Sequence, residues 1–150
     1  MQITYEWRGD FDDDTLNALH SQGFGQSALS VGWWEQVQRH SLGWVVAREP
    51  GGAGEGGAPG AAEAAGRLVG FVNVAWDGGV HAFVLDTLVD KEFQRRGVGT
   101  SLVAEAVRGA RAAGCEWLHV DFDEEHRTFY FDACGFQPTD AGLIALWPDR

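Results

Sequence analysis

The sequence 89-VDKEFQRRGVGT-100 joins an apolar stretch, residues 82–89, to a helical pattern over residues 99–113. This arrangement predicts that a strand enters a short loop containing two glycines and two arginines, and that the loop opens a helix. The N–H groups of a first helical turn have no partner within the helix, and the helix dipole adds partial positive charge there. Glycines let the backbone approach an anion closely, and arginines can add charge-assisted hydrogen bonds. The segment therefore predicts a phosphate-binding loop.

Other loop types fit this segment less well. A basic turn before a helix that starts with glycine is one alternative. A Walker loop is excluded because no Gly-Lys-Ser/Thr follows, so a nucleotide-phosphate binder of that kind would lack its metal-binding hydroxyl. A Rossmann fingerprint is disfavoured because only two of its three spaced glycines are present and the strand comes late in the chain.

The run Gln94-Arg95-Arg96-Gly97-Val98-Gly99 resembles the Q/R-x-x-G-x-G/A pyrophosphate loop of the GNAT superfamily, the acetyl-CoA-dependent N-acetyltransferases. That family has a second landmark, an aromatic pair shortly before Gly-Phe, and Phe129-Tyr130-Phe131-Asp132-Ala133-Cys134-Gly135-Phe136 is similar to it. The two occur in the family's order, about one strand–helix unit apart. The resemblance covers roughly residues 66 to 146, and the first 48 residues by general layout.

The resemblance implies an α/β fold in which a central mixed sheet of six to seven strands is flanked by about four helices. It also implies that the fourth and fifth strands splay apart, and that residues 1–150 form a single domain. Hydrophobic periodicity predicts strands over 2–8, 43–48, 68–76, 82–89 and 116–122, with last strands at 136–137 and 143–147. Helices are predicted from 10–14 to about 21 and over 31–39, 99–113 and 125–134.

The segment 49–66 consists almost entirely of Gly, Ala, Pro and Glu. No such composition can bury a core. It is therefore predicted to be a mobile hairpin insertion and not a domain boundary.

Charge limits the classes of partner. The chain of 150 residues has 22 acidic and 11 basic residues and a formal net charge of −11. This argues against nucleic acid, whose phosphates need a basic surface. An acidic surface suits a cationic substrate such as an amine, although it can also serve solubility. Lys91, Arg95 and Arg96 form a positive island on this background, where a polyanionic cofactor is expected.

Cysteine usage and hydropathy bear on compartment and metal content. The two cysteines, Cys115 and Cys134, lie in no CxxC or Cys/His metal spacing, which favours free thiols in a reducing compartment and no metal. The first residues read as a strand and not as a signal peptide, and no apolar run reaches membrane length. We therefore expect a cytoplasmic protein with no membrane partner.

The cofactor-binding residues implied by the resemblance fall in two groups. The pyrophosphate is expected on Gln94, Arg95, Arg96, Gly97, Val98, Gly99 and Thr100. By analogy with the family, the pantetheine arm of acetyl-CoA inserts between the splayed strands like an added strand. The end of the fourth strand, Thr87, Leu88 and Val89, would supply its backbone partners.

Acetyl transfer also needs an acid for the departing thiolate, which in the family is commonly a tyrosine on the last helix. The family's Tyr-x-x-x-Gly-Phe spacing, aligned without a gap, places Phe131 at the tyrosine position. Tyr130 is one residue early, a rotation of about 100° on a helix. Either the helix end is adjusted by one residue or Tyr130 is not the acid.

The base is predicted less directly. In histone-type members it is a glutamate on the fourth strand, and that position falls on Phe83, so it cannot be carried over. His81, on the same strand face, and Asp86, a carboxylate whose pKa should rise if buried, are substitutes. Asp121 and Asp123 lie close in the layout. Each has an ordinary structural role as its alternative, and a water chain can replace a single base.

The acceptor site in this family is walled by the first two helices and their loop. Phe24, Trp33 and Trp34 are therefore predicted to line it, together with Asp121 at the end of the fifth strand. The alternative is that these aromatic residues belong to the core.

The sequence thus predicts an N-acetyltransferase that moves an acetyl group from acetyl-CoA to a primary amine of a small molecule or peptide, by direct attack in a ternary complex. The alternative is a non-catalytic acyl-CoA-binding or sensing domain, because Tyr130 is displaced and the strand glutamate is missing. The acceptor, the acyl-chain preference and the oligomeric state, including a homodimer, are left open.

Overall fold

A mixed sheet carries the predicted phosphate-binding loop. The computed structural model describes residues 2–24, 30–50 and 66–147. Five strands pair in chain order: β1 (Thr4–Trp7), β2 (Ser41–Glu49), β3 (Arg67–Trp76), β4 (His81–Val89) and β5 (Trp117–His119). Neighbours are antiparallel from β1 to β4, whereas β5 runs parallel to β4. The mixed α/β architecture predicted from the sequence is confirmed.

The helices lie between these strands as the periodicity predicts. They are α1 (Asp13–Phe24), α2 (Trp33–His40) and α3 (Val98–Ala112). Short 3-10 turns span Lys91–Phe93 and Glu124–His126, and a π-helix spans Thr128–Ala133. The start of α1 is fixed by Asp12, whose carboxylate accepts a hydrogen bond of 2.8 Å from the Thr15 N–H.

The core lies on both faces of the sheet. On one face, α1 and α2 cover a buried cluster that includes Leu16, Trp33, Trp44 and Phe71. Successive strand residues point to opposite faces, so Gly70 faces the other side. A Cβ there would lie 2.9 Å from Leu102 of α3. The sheet is therefore covered by α1 and α2 on one face and by α3 on the other, which explains why β3 is almost wholly buried.

The prediction of six to seven strands is wrong for the described chain. Residues 136–147, expected to hold the last strands, form no strand. Leu143, Ile144 and Leu146 are 81–90% exposed, so the apolar side chains of this segment do not pack against a core. The backbone groups of a strand also need hydrogen-bond partners on a neighbouring strand, and no described strand pairs with this segment. Likewise β5 is three residues long, not the seven expected over 116–122.

The chain forms two compact units, one up to Val120 and one from Asp121 onward. The first contains the sheet and the helices α1 to α3. The second contains packed aromatic rings, in which Phe122 stacks on Tyr130 and meets Phe131 edge to face. The single-domain assignment stays a prediction. Most of the predicted insertion, residues 51–65, lies outside the described residues.

Candidate functional site

The loop before α3 has the backbone geometry of an anion site. Gly97 is the N-cap of α3 with φ 80°, a left-handed conformation that favours glycine, and no side chain caps the helix. The first intrahelical bond runs from the Ser101 N–H to the Gly97 carbonyl, 3.0 Å. The N–H groups of residues 98–100 therefore precede it and are directed out of the helix. A Cβ at Gly97 would meet no atom within 4 Å, so the space in front of the loop is open.

Positive charge surrounds this space. Arg95 and Arg96 are both exposed, and within the described ranges neither pairs with a carboxylate. The Arg96 guanidinium lies 5.1 Å above the ring of buried Phe93. Arg95 has φ 62°, an unfavourable conformation for a residue with a side chain. Both charges are thus held near the helix N terminus and remain available to an anionic ligand.

Asp90 holds the loop in this conformation. Its side chain is 5% exposed and forms an ion pair of 2.9 Å with Arg67. Its other oxygen accepts the Glu92 N–H at 2.9 Å, and the oxygen that pairs with Arg67 also accepts a hydrogen bond of 3.2 Å from the Gln22 side chain of α1. Burial acts to raise the pKa of Asp90, but these hydrogen bonds and the Arg67 charge outweigh it and lower the pKa. Asp followed by a turn is a local pattern typical of such a cap, whereas no local pattern indicates the contact with Gln22, 68 residues away.

The edge of β4 next to the loop is open. Pairing with β5 covers only His81 to Phe83, and no described strand pairs with this edge from Val84 onward. The Asp90 N–H donates to Val69 of β3, and alternation directs the peptide groups of Val89 to the opposite side. Gln94 accordingly donates its side-chain N–H to the Val89 carbonyl, 3.3 Å. The loop and the free end of β4 therefore form one continuous surface, as the predicted splay requires.

A bulge interrupts β4 at Asp86. Phe71 pairs with Leu88 and Asn73 with Leu85, which leaves two β4 residues opposite one β3 residue. Asp86 has φ 55° and is partly buried. Burial raises the pKa of its carboxyl group, while the charge of His20 and a hydrogen bond with Asn73 act in the opposite direction. The strained backbone and partly buried carboxylate occur together beside the open edge.

His81 has a partner that the sequence did not indicate. Its Nδ1 lies 2.7 Å from Nε2 of His119 on β5. The ring of Phe83 stacks on His119 with centroids 4.7 Å apart. The register that pairs Phe83 with His119 brings them together, and such a pairing between distant segments has no local sequence signal.

The predicted acceptor-site aromatics are packed. Trp33 is 5% exposed and its indole N–H donates to Asn17 at 3.0 Å. Trp34 is half-buried, with its ring 5.7 Å from that of Trp44. The side chain of Phe24 lies outside the described residues, and Asp121 is an exposed residue of the second unit. Their roles in acceptor binding stay predictions.

Tyr130 lies in the π-helix of the second unit. It is 8% exposed and stacks on Phe122 with centroids 4.7 Å apart. The Cys134 N–H donates to the Phe129 carbonyl five residues earlier, 3.0 Å. A π-turn holds one more residue than an α-turn. The π-turn thus holds the extra residue between Tyr130 and Gly135, and the role of Tyr130 as the acid stays a prediction.

A family model described as the acetyltransferase (GNAT) family matches residues 28–136. The chain belongs to the GNAT acetyltransferase family. The matched range contains the whole loop and the open edge of β4.

Solved structures of this family share the fold. A GNAT family acetyltransferase from Streptococcus pneumoniae TIGR4 superposes with a TM-score of 0.68 at 22% identity, covering 99% of this chain and 100% of that one. Glucosamine-6-phosphate N-acetyltransferase from Arabidopsis thaliana gives 0.68 at 17%, covering 97% and 99%. The aminoglycoside N-acetyltransferase AAC(6')-Iy, solved with CoA, gives 0.67 at 17%, covering 99% and 96%. No curated protein sequence gives a match.

The described chain has neither a helix suited to crossing a membrane nor a cluster of metal-binding side chains. None of its helices combines the length and hydropathy needed to cross a bilayer. Residues 2–24, 30–50 and 66–147 contain no group of three or more His, Cys, Asp or Glu side chains placed to hold a metal ion.

Proposed function

We propose that this GNAT protein is an acetyl-CoA-dependent N-acyltransferase that acetylates a primary amine by direct attack in a ternary complex. One observation carries the proposal: an uncapped helix N terminus, flanked by two unpaired arginines, continues directly into an open strand edge. An anionic group followed by an extended amide-containing arm is the ligand chemistry that fits both parts. Acetyl-CoA has this chemistry.

The pyrophosphate is assigned to the loop. The N–H groups of Val98, Gly99 and Thr100 would donate to its oxygens, and Arg95 and Arg96 would neutralise its charge. The side chain of Val98 is buried, so its contribution is limited to the backbone. Gln94, which binds the Val89 carbonyl, orients the loop relative to the strand.

The pantetheine arm is assigned to the free edge of β4. Val89 directs its peptide groups to that side. Thr87, next to the bulge at Asp86, is assigned by the family resemblance. The side chain of Leu88 belongs to the core cluster, so this residue would act through its position between them. An arm bound in this way extends the sheet by one strand beyond the residues of β4 that pair with β5.

Direct attack is favoured over a covalent acetyl-cysteine. Burial raises the pKa of the Cys134 thiol to about 11. Burial and the Asp77 charge raise the pKa of Cys115. Because the thiolate is the nucleophilic form, neither cysteine is prepared to accept the acetyl group. The amine nitrogen would therefore attack the thioester carbon itself, forming the C–N bond as the C–S bond breaks.

A small amine is the proposed acceptor. The formal charge of −11 favours a cationic molecule. Two structural relatives are named as N-acetyltransferases of aminoglycosides and of glucosamine 6-phosphate, both small amines. A peptide amine is the alternative acceptor.

Calorimetric titration of acetyl-CoA, with ATP and NADH as controls, tests the cofactor assignment. A free-thiol assay with a panel of small amines and peptides then tests transfer. We expect micromolar binding of acetyl-CoA alone and amine-dependent release of CoA. Binding without release for any amine would favour the acyl-CoA-binding or sensing alternative, and no binding would refute the assignment of the loop.

Tyr130→Phe tests the proposed acid. The substitution removes one hydroxyl and keeps the stacked ring, so we expect a fold stable to within about 1.5 kcal/mol. If the hydroxyl protonates the departing thiolate, kcat should fall by about 10²-fold or more while acetyl-CoA affinity is unchanged. An unchanged kcat would remove Tyr130 from the mechanism. Phe131→Leu, next to it in the same helix, is the control for altered packing.

A further inference from the structure

Two imidazoles meet where the pairing of β4 with β5 ends. His81 pairs with Trp117 at the first registered position, and Phe83 pairs with His119 at the last. Residues two apart on a strand share a face, so the histidine of β4 lies beside that of β5. The ring nitrogens His81 Nδ1 and His119 Nε2 are 2.7 Å apart. The pair therefore lies where the paired part of β4 and β5 gives way to the open edge of β4, a point that we call the vertex.

The vertex lies at the far end of the proposed cofactor path. From Val89, next to the pyrophosphate loop, to Phe83 is six residues, or about 20 Å of strand. A cofactor anchored by its pyrophosphate and extended along this edge points its reactive end towards the vertex. Phe83, the β4 residue that pairs with His119 at this point, has no group that can take a proton.

The pair can both hold and pass a proton. A hydrogen bond between two imidazoles requires one nitrogen to donate and the other to accept. Each ring keeps a second nitrogen outside the bond, and His119 is exposed while His81 is partly exposed. Protons can therefore enter through one ring and leave to water through the other.

We propose that His119 is the base that takes the proton of the acceptor amine and that His81 relays it to solvent, an inference that rests on the proposed acetyl transfer. As the amine nitrogen bonds to the acetyl carbon, the electron pair of the C–S bond leaves with sulphur. The proton released by nitrogen binds Nδ1 of His119. Its Nε2 proton passes to Nδ1 of His81, and the Nε2 proton of His81 goes to water. The thiolate takes a proton from a separate acid.

A carboxylate lies beside the pair. Asp77, in the turn between β3 and β4, accepts the backbone N–H groups of Gly79 at 2.7 Å and of His81 at 3.2 Å. The pKa of Asp77 is lowered, chiefly by the Gly79 hydrogen bond and in part by His81. Asp77 thus stays ionised beside His81. Cys115, whose thiol pKa is raised, stays neutral.

Steady-state kinetics of the full chain over a range of pH test the relay. We expect kcat/KM of the wild type to rise with pH, because a general base accepts a proton only in its unprotonated form. His119→Gln should lower kcat by about 10²-fold or more and remove this rise, with acetyl-CoA affinity unchanged by calorimetry. His81→Gln and the double variant should cost about the same as His119→Gln, because residues that act as a unit are not additive. Added imidazole should restore activity to His119→Ala, which a purely structural role would not allow.

His40→Gln is the control, since His40 is exposed at the end of α2. It should keep the wild-type pH profile. An active wild type with an equally active His119→Gln variant of unchanged profile would overturn the relay alone. Additive losses in the double variant without rescue by imidazole would also overturn it. A wild type that binds acetyl-CoA but acetylates no amine would refute the proposed function and the relay together.

Discussion

Replacing Gly99 by aspartate should change stability and cofactor affinity in opposite directions. Gly99 lies in the first turn of α3, which contains no acidic residue. A carboxylate there would interact favourably with the unpaired N–H groups of the helix, as a bound phosphate is proposed to do. The same carboxylate would then compete with the cofactor for those groups.

The magnitudes follow from the helix terminus. A carboxylate in a first turn stabilises a helix by about 0.3–1 kcal/mol. Removing a glycine from a helix adds a few tenths, about 0.3 kcal/mol for aspartate. We therefore expect the free energy of unfolding of the free protein to rise by about 0.6–1.3 kcal/mol. Against this, two like charges about 4 Å apart near a protein surface repel by about 4 kcal/mol, so acetyl-CoA affinity should fall by about 10²–10³-fold.

Urea unfolding and calorimetric titration measure the two quantities on the same preparation. Gly99→Asn is the matched control because its side chain has nearly the same shape and no charge. It should lose far less affinity than Gly99→Asp, and the difference should shrink at high salt. Equal affinity in wild type and Gly99→Asp would refute the assignment of the pyrophosphate to this helix.

Four further substitutions test the support of the site. Gly97→Ala and Gly114→Ala both place a side chain at positive φ in open space, at the two ends of α3. Each should lower the free energy of unfolding by about 1–2 kcal/mol. Only Gly97→Ala should also weaken acetyl-CoA binding. Asp90→Asn should destabilise the protein at pH 7 by about 1–3 kcal/mol. Because the folded pKa of Asp90 is lowered, its contribution is fully present above the unfolded pKa. In urea titrations the difference from wild type should therefore decrease as pH falls below about 4 and vanish below the folded pKa. Asp86→Asn should stabilise the protein at neutral pH, because the raised folded pKa of Asp86 makes its ionised form unfavourable, and asparagine tolerates positive φ; a lower stability than wild type would show that its charge is needed.

Local chemistry predicted the first unit well. The glycine spacing and the apolar run before it were sufficient for the strand, the loop and α3, because each depends on neighbours in the sequence. The predicted bounds 82–89 and 99–113 differ by one residue at each affected end from those of β4 and α3. What local patterns could not reveal were the contacts between distant segments, such as Gln22 with Asp90 and His81 with His119.

The last strands were mispredicted for a related reason. Alternation over residues 143–147 is necessary for a half-buried strand, but a strand forms only where an edge and an apolar face receive it. The single-residue displacement of Tyr130 was visible in the sequence, whereas the π-helix that accommodates it was not. Its winding depends on how the aromatic rings around Phe122 pack.

The loop combines strain with tight support. Arg95 and Gly97 both have positive φ, a conformation that is unfavourable for the arginine and readily adopted by the glycine. The bonds that hold them lie on either side: Asp90 before the loop, tied to β3 through Arg67, and α3 after it, whose Val98 and Leu102 are buried. Gln22 joins the same clamp to α1 through both the Asp90 carboxylate and the Lys91 N–H, at 3.2 and 3.1 Å. The fold thus orders the N–H groups and arginines of the anion site before any ligand binds. Binding therefore involves little loss of loop entropy. Because α1 also leads into the loop that should wall the acceptor site, a change in the position of α1 would reach the pyrophosphate loop through this one glutamine.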